Sequence, residues 1–347
     1  MTKRTIVAGF VGLAAAALAL AAAGADWSDD AEWADSYPES RAICRDVRDR
    51  TVPAADRPTA AEAAQLKGCD SEALYYGIGR PADPVAARKC AILELEGTAA
   101  SDAGYFAGRT ILATVYANGV GAGRDTRLAI RLACQDEDSA PAEVDGRVRD
   151  LAGSSPPESF HWCDHVTSGR MMGVCAAHFA RIDGAKREAE IATLTAAWSP
   201  PERKAFAALR TAADAFIAAR AENEVDMSGT MRAALSLGEE ERQRDAFKAL
   251  LTELEAGKAP SGGLAPADAE LNRVYRQVMN AGEDTRLDWG TVAPDDIRAT
   301  QRIWLRYRDA WLAFAKVKYP QVSPDALAAR LTQERTAMLR GFLEEAS

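Results

Sequence analysis

The stretch Asp295–Pro320, DDIRATQRIWLRYRDAWLAFAKVKYP, decides how the chain reads, because it specifies one long helix from both ends. Ile297, Trp304 and Trp311 recur every seven residues, with Thr300, Tyr307 and Phe314 beside them, so one face carries an aromatic stripe. Asp295 and Asp296 suit the positive end of a helix, and Pro320 forbids continuation, which makes Tyr319 the last helical residue. Gln301, Arg308 and Asp309 line the edge of the stripe. A helical aromatic face is ordinarily buried, so Trp304 and Tyr307 read first as core and Arg308 with Asp309 as a structural hydrogen-bonding pair.

The same helical chemistry runs through the rest of the chain. Ala, Glu, Arg and Leu dominate and β-branched runs are scarce, which predicts an all-α fold. A formal net charge of -9 argues against nucleic acid and favours cationic partners. Residues 1–25 read as a secretory signal: Lys3 and Arg4, an apolar run from Ile6 to Ala23, then the small-residue site Ala23-Gly24-Ala25. Nothing beyond it approaches the ~20 apolar residues of a membrane span, so the expected location is the periplasm. The six cysteines all lie beyond residue 25 and fit three disulfides in an oxidising compartment.

In chain order, residues 26–58 read as a loose acidic lead-in with one short helix, pinned by Cys44. Residues 59–136 contain a repeat: Gly77, Gly79, Asp83, Ala87 and Ala91 recur 42 positions later as Gly119, Gly121, Asp125, Ala129 and Ala133. Small residues that let helices approach, glycines for a tight turn and an Asp cap describe a helical hairpin. If the first hairpin turns near Gly79 and Arg80, antiparallel helices place Cys69 opposite Cys90, which predicts that disulfide. Residues 137–159, with Pro141, Gly146, Gly153, Pro156 and Pro157, read as a linker.

Two tandem three-helix modules are expected to follow, at 160–256 and 264–347. At an offset of 95, Asp214, Ala215, Ala218, Glu239 and Phe247 match Asp309, Ala310, Ala313, Glu334 and Phe342, while Leu209 and Phe216 stand where Trp304 and Trp311 stand. Ser199-Pro200-Pro201-Glu202 is a capping box that starts the first module's long helix. Met231, Leu235, Phe247, Leu250, Leu251 and Leu254 make its closing helix, with a break or kink expected near Gly238.

The tightest polar cluster is His161, Cys163, His165, Cys175 and His178. As HxCxH followed by CxxH it could coordinate zinc. The competing reading, adopted for an exported chain, is a Cys163–Cys175 disulfide with surface histidines, so no metal or cofactor is expected. Cys44 and Cys134 are then left as a third pair, by elimination alone. Glu239, Glu240 and Glu241 read as a solvated face. No Gly-x-Ser-x-Gly elbow, Walker loop, Rossmann fingerprint or HExxH appears, and no spacing brings a nucleophile to a base, so the chain does not read as an enzyme.

Two resemblances add to this reading. The paired units of residues 59–136 resemble Sel-one-like repeats, short relatives of tetratricopeptide repeats that stack helix pairs into solenoids. Leu271-Asn272-Arg273-Val274-Tyr275, then Gln301-Arg302-Ile303-Trp304 with Tyr307-Arg308-Asp309, then Leu331-Thr332-Gln333-Glu334-Arg335, resemble the LprI family of exported lysozyme inhibitors. The earlier copy shares with that family a cysteine pair around a Thr-rich turn, Cys163, Thr167-Ser168 and Cys175, but lacks Gln and Trp at Phe206 and Leu209. The LprI resemblance implies a protein-binding protein that engages lysozyme or another cationic wall-degrading enzyme, with Gln301, Trp304, Arg308 and Trp311 as candidate contacts. The rival reading is a periplasmic helical-repeat scaffold in which the LprI-like part is only an end piece.

Overall fold

A computed structural model describes residues 26–33, 35–97, 104–153, 159–281 and 289–344. The expected signal segment, residues 1–25, lies outside the described residues. Thirteen α-helices and no strand occur among the described residues, so the fold is all-α.

The first core is built from α1 (Pro38–Asp46), α2 (Ala60–Gln65), α3 (Ser71–Tyr76), α4 (Pro84–Leu95), α5 (Arg109–Asn118), α6 (Thr126–Ala133) and α7 (Pro141–Ala152). The pairs α3/α4 and α5/α6 are hairpins made with the same bonds 42 residues apart. Asp83 and Asp125 each cap the second helix, accepting from the Ala86 and Leu128 amides at 2.9 and 3.0 Å. Gly77 and Gly119 end the first helix at φ 74° and 69°, a left-handed turn that disfavours any residue with a Cβ. The Asp83 and Asp125 amides then donate back to the Leu74 and Tyr116 carbonyls at 2.8 and 3.0 Å, which closes each loop.

Three boundaries expected from the sequence do not hold. The acidic lead-in is not loose: Trp27 is buried, its amide donates to the Cys134 carbonyl at 2.9 Å, and Cys44 is disulfide-bonded to Cys134. The stretch 137–159 is not simply a linker, because it contains α7 with Val144, Val148 and Leu151 buried. Pro141 and Gly146 were linker signals in the sequence; in the fold Pro141 opens the helix, and Gly146 leaves room for His165, which would lie 2.9 Å from an added Cβ. The third boundary, at residue 160, falls inside the first core, since Phe160, Trp162, Met171 and Cys175 pack with the hairpins.

The remaining helices are α8 (Gly169–Thr195), α9 (Pro200–Asn223), α10 (Arg232–Glu255), α11 (Leu264–Ala281), α12 (Pro294–Lys318) and α13 (Pro324–Glu344). They pack as α8 on α10, α11 on α13, and α9 on α12. Helix α10 runs unbroken through Gly238, and its Met231 end is not core: Met231 and Leu235 are 43% and 41% exposed.

Neither three-helix unit has a core of its own. Trp311, Phe314 and Tyr319 from the second unit complete the cluster formed by Ile191, Phe206, Leu209, Phe247 and Leu250 of the first. In return Phe216 of α9 enters the cluster of Leu271, Val274, Ile297, Trp304 and Leu339. Phe216 and Trp311 are the equivalent positions at offset 95, so the exchange is reciprocal. Expected outcome: Trp311→Ala costs about 3–5 kcal/mol, the range for emptying a buried Trp site. Hydrogen exchange should show the loss in α8 and α10 amides, outside the mutated unit, and unchanged α8 and α10 protection would contradict the shared core.

Candidate functional site

Helix α12 starts where its composition says it should. Pro294 occupies the first turn, the Asp296 carboxylate accepts from the Ala293 amide at 3.1 Å, and Lys316 and Lys318 sit in the last turn, all favourable to the helix dipole. Ile297, Thr300, Trp304 and Trp311 face inward against α9, α11 and α13.

This placement corrects the candidate contacts. Trp304 is 1% exposed and Trp311 is fully buried, so neither offers a surface to a partner. The reason is the heptad spacing itself, which builds a seam between helices. Arg308 is tied inward as well: its Nη1 donates to Asp268 Oδ1 at 3.1 Å, and its guanidinium lies 5.1 Å from the Trp304 ring. Gln301 is half-buried and turned to Arg335, whose Nε donates to Gln301 Oε1 at 2.8 Å.

Arg335 anchors a buried charge network. Its two terminal nitrogens donate to both Glu224 oxygens at 2.7 and 2.6 Å, with both side chains fully buried. Glu224 also accepts from Arg220 at 2.5 Å, and Arg220 Nε donates to Glu239 at 2.8 Å. The network therefore joins the C-terminal end of α9 to α10, α12 and α13. Glu239 is 1% exposed, which corrects its reading as part of a solvated face. Glu241 is likewise engaged, accepting from Arg187 at 2.7 Å. Sequence reasoning missed Glu224 and Arg220; the available signal was their i,i+4 spacing. Charge-assisted bidentate bonds of this kind are strong only while every member is present. Glu224→Ala leaves the buried Arg335 with no carboxylate among the described residues and Arg220 with Glu239 alone, and is expected to lower stability by about 3–5 kcal/mol, read as a shift in the urea midpoint.

The opposite face of α12 looks outward. Arg302, Leu305 and Arg306 are exposed, and neither arginine has a hydrogen-bond or ion-pair partner among the described residues.

The histidine cluster separates. Cys163 is disulfide-bonded to Cys175, and His165 faces Asp150 at 3.1 Å, away from the other two imidazoles. His161 and His178 are not both surface groups, because His178 is 1% exposed. Their Nε2 atoms stand 3.2 Å apart, His178 Nδ1 lies 2.5 Å from Glu72 Oε1, and the Cys163 amide donates to His161 Nδ1 at 3.1 Å. These contacts fix the tautomers. His161 accepts at Nδ1 and so carries its proton on Nε2; His178 accepts there and donates from Nδ1 to Glu72. A protonated His161 Nε2 is not a metal donor, so this pair does not fit a zinc site. Burial pushes His178 down to about 4. Glu72 pulls the other way, but Arg181 already neutralises it. An extra proton on His178 would also meet the His161 N–H head on. A depressed histidine stabilises the fold fully above its unfolded value near 6.5, and that contribution is lost as pH falls toward 4. Stability is therefore expected to decline over this window, and more shallowly in His178→Gln, as measured by urea unfolding at each pH.

Comparison with known proteins places α11–α13 in a family. An uncharacterized protein of Rhizobium meliloti (strain 1021) is 34% identical over 91 residues, covering 23% of this chain and 66% of that protein. The chain thus spans just under two thirds of the length of this curated relative. No solved structure matches the chain. The family model described as Lysozyme inhibitor LprI matches residues 261–339, so the segment that carries α11, α12 and most of α13 is an LprI domain.

Proposed function

We propose that this is an exported protein-binding protein whose LprI domain engages and restrains a cationic wall-degrading enzyme of the lysozyme class. The LprI match at residues 261–339 carries the reading. Three disulfides suit an oxidising compartment, and no helix among the described residues is long and apolar enough to cross a membrane. Charge supports it with a refinement. Residues 26–159 hold 24 acidic and 15 basic side chains, whereas residues 264–347 hold 12 of each. The field that attracts a cationic enzyme therefore arises in the hairpin half, while the LprI segment is neutral.

One observation favours the scaffold reading. An open cleft of about 590 Å³ in the hairpin half is lined by Trp27, Trp33, Asp30 and Glu137, beside the ion pairs Arg48–Asp29 and Arg131–Asp26, and its aromatic rings and remaining carboxylates suit a basic peptide segment. On that reading the LprI domain is an end piece.

Purified protein added to lysozyme at low ionic strength is expected to suppress wall lysis in proportion to the amount added, and less so as salt screens the encounter. Full lysozyme activity in the presence of excess protein sinks the inhibitor reading and leaves the scaffold.

A further inference from the structure

The residues that read as candidate contacts, Gln301, Trp304, Arg308 and Trp311, are buried or tied inward, so the domain meets a partner through other positions. We propose that the outward face of α12, centred on Arg302, Leu305 and Arg306, is the surface that seats in the carboxylate-lined substrate cleft of a glycan-cleaving wall enzyme. This rests on the inhibitor reading above and names the surface that performs it.

Three observations carry it. First, Arg302 and Arg306 are exposed and have no partner among the described residues, although the fold pairs most of its other guanidiniums with carboxylates. Two such groups side by side on a rigid 25-residue helix are held ready for anions from outside. Secondly, the separation fits. Four residues of α-helix rise about 6 Å, and the catalytic carboxyl pairs of glycoside hydrolases stand about 5–9.5 Å apart. Two guanidiniums at i and i+4 can therefore each meet one carboxylate, in the charge-assisted geometry that Arg favours. Thirdly, Leu305 lies between them and is 40% exposed, an apolar contact for the walls of a sugar-binding cleft. The face is not uniformly basic, because Asp309 follows one turn later, 3.9 Å from Arg308.

The assignment also reconciles the charges. A protein that is acidic overall is drawn to a basic enzyme at long range, yet the enzyme's cleft is its acidic spot. An inhibitor for such a target needs a negative body and a positive plug. Residues 26–159 provide the first and the outward face of α12 the second.

The test uses the full chain carrying Arg302→Glu and Arg306→Glu, with Lys67→Glu and Arg80→Glu as a control on the hairpin half. Both pairs make the protein more acidic to the same extent. If only the overall field mattered, both would strengthen inhibition of lysozyme at low salt. Seating in the cleft predicts that the α12 reversal weakens inhibition on the order of 100-fold, the scale of two lost contacts of about 1.4 kcal/mol each, while the control does not. Both arginines are exposed and unpaired, so the melting temperature should stay put. A soluble N-acetylglucosamine oligosaccharide that fills the cleft is expected to compete with the wild-type protein. Inhibition that survives the α12 reversal, or simultaneous binding of protein and oligosaccharide to the enzyme, overturns this surface and leaves the inhibitor reading standing. Wild-type protein without effect on lysozyme overturns both.

Discussion

The C-terminal half depends on an exchange of two aromatic side chains. Phe216 and Trp311 occupy equivalent positions in two helical units, and each fills the core of the other. Because a buried aromatic ring contributes several kcal/mol, neither unit can lose its neighbour without opening a hole at its centre. The α9–α12 seam is therefore the element that fixes everything around it, including the orientation of the outward face of α12. The charge network follows the same rule. Arg335 belongs to the LprI domain, yet the carboxylate that neutralises it, Glu224, comes from outside that domain. Residues 261–339 are thus a sequence unit that is not a self-sufficient physical one.

The long helix was legible because its signals are local. Acidic residues and a proline at one end, a proline after the other and a seven-residue aromatic period leave little freedom in the reading. The hairpins were legible for a similar reason, since an Asp cap and a glycine turn act within four residues of themselves. Even Cys69 with Cys90 followed from simple antiparallel register, and the structure pairs them. What escaped was set by contacts distant in sequence. Helix α7 looked like a linker because Pro141 and Gly146 are punctuation in most settings, and only the packing of Val144 and Val148 turns them into helix. Glu239 looked solvated because nothing near it in the chain announces that Arg220 will arrive. The independence of the two modules failed for the same reason, as periodicity reports which face is buried but not which neighbour buries it.

The contacts that the sequence offered on α12 lie on its packed side. Gln301, Trp304, Arg308 and Trp311 stand out by residue type, and that prominence reflects packing demands. Arg302 and Arg306 are inconspicuous in the sequence and become informative only once they are seen to lack partners. A rigid element with one packed face leaves its other face free to vary without cost to the fold.

All three cross-links lie between Cys44 and Cys175, reaching no further than the first turns of α8, and the five helices that follow, α9 to α13, have none. The molecule is consequently asymmetric in what its assembly requires. In a thiol-rich cytosol the C-terminal helices have every bond they need, whereas the hairpin half stays unstapled until oxidation. Oxidation would then act as a finishing step for one end of the chain only, the acidic end.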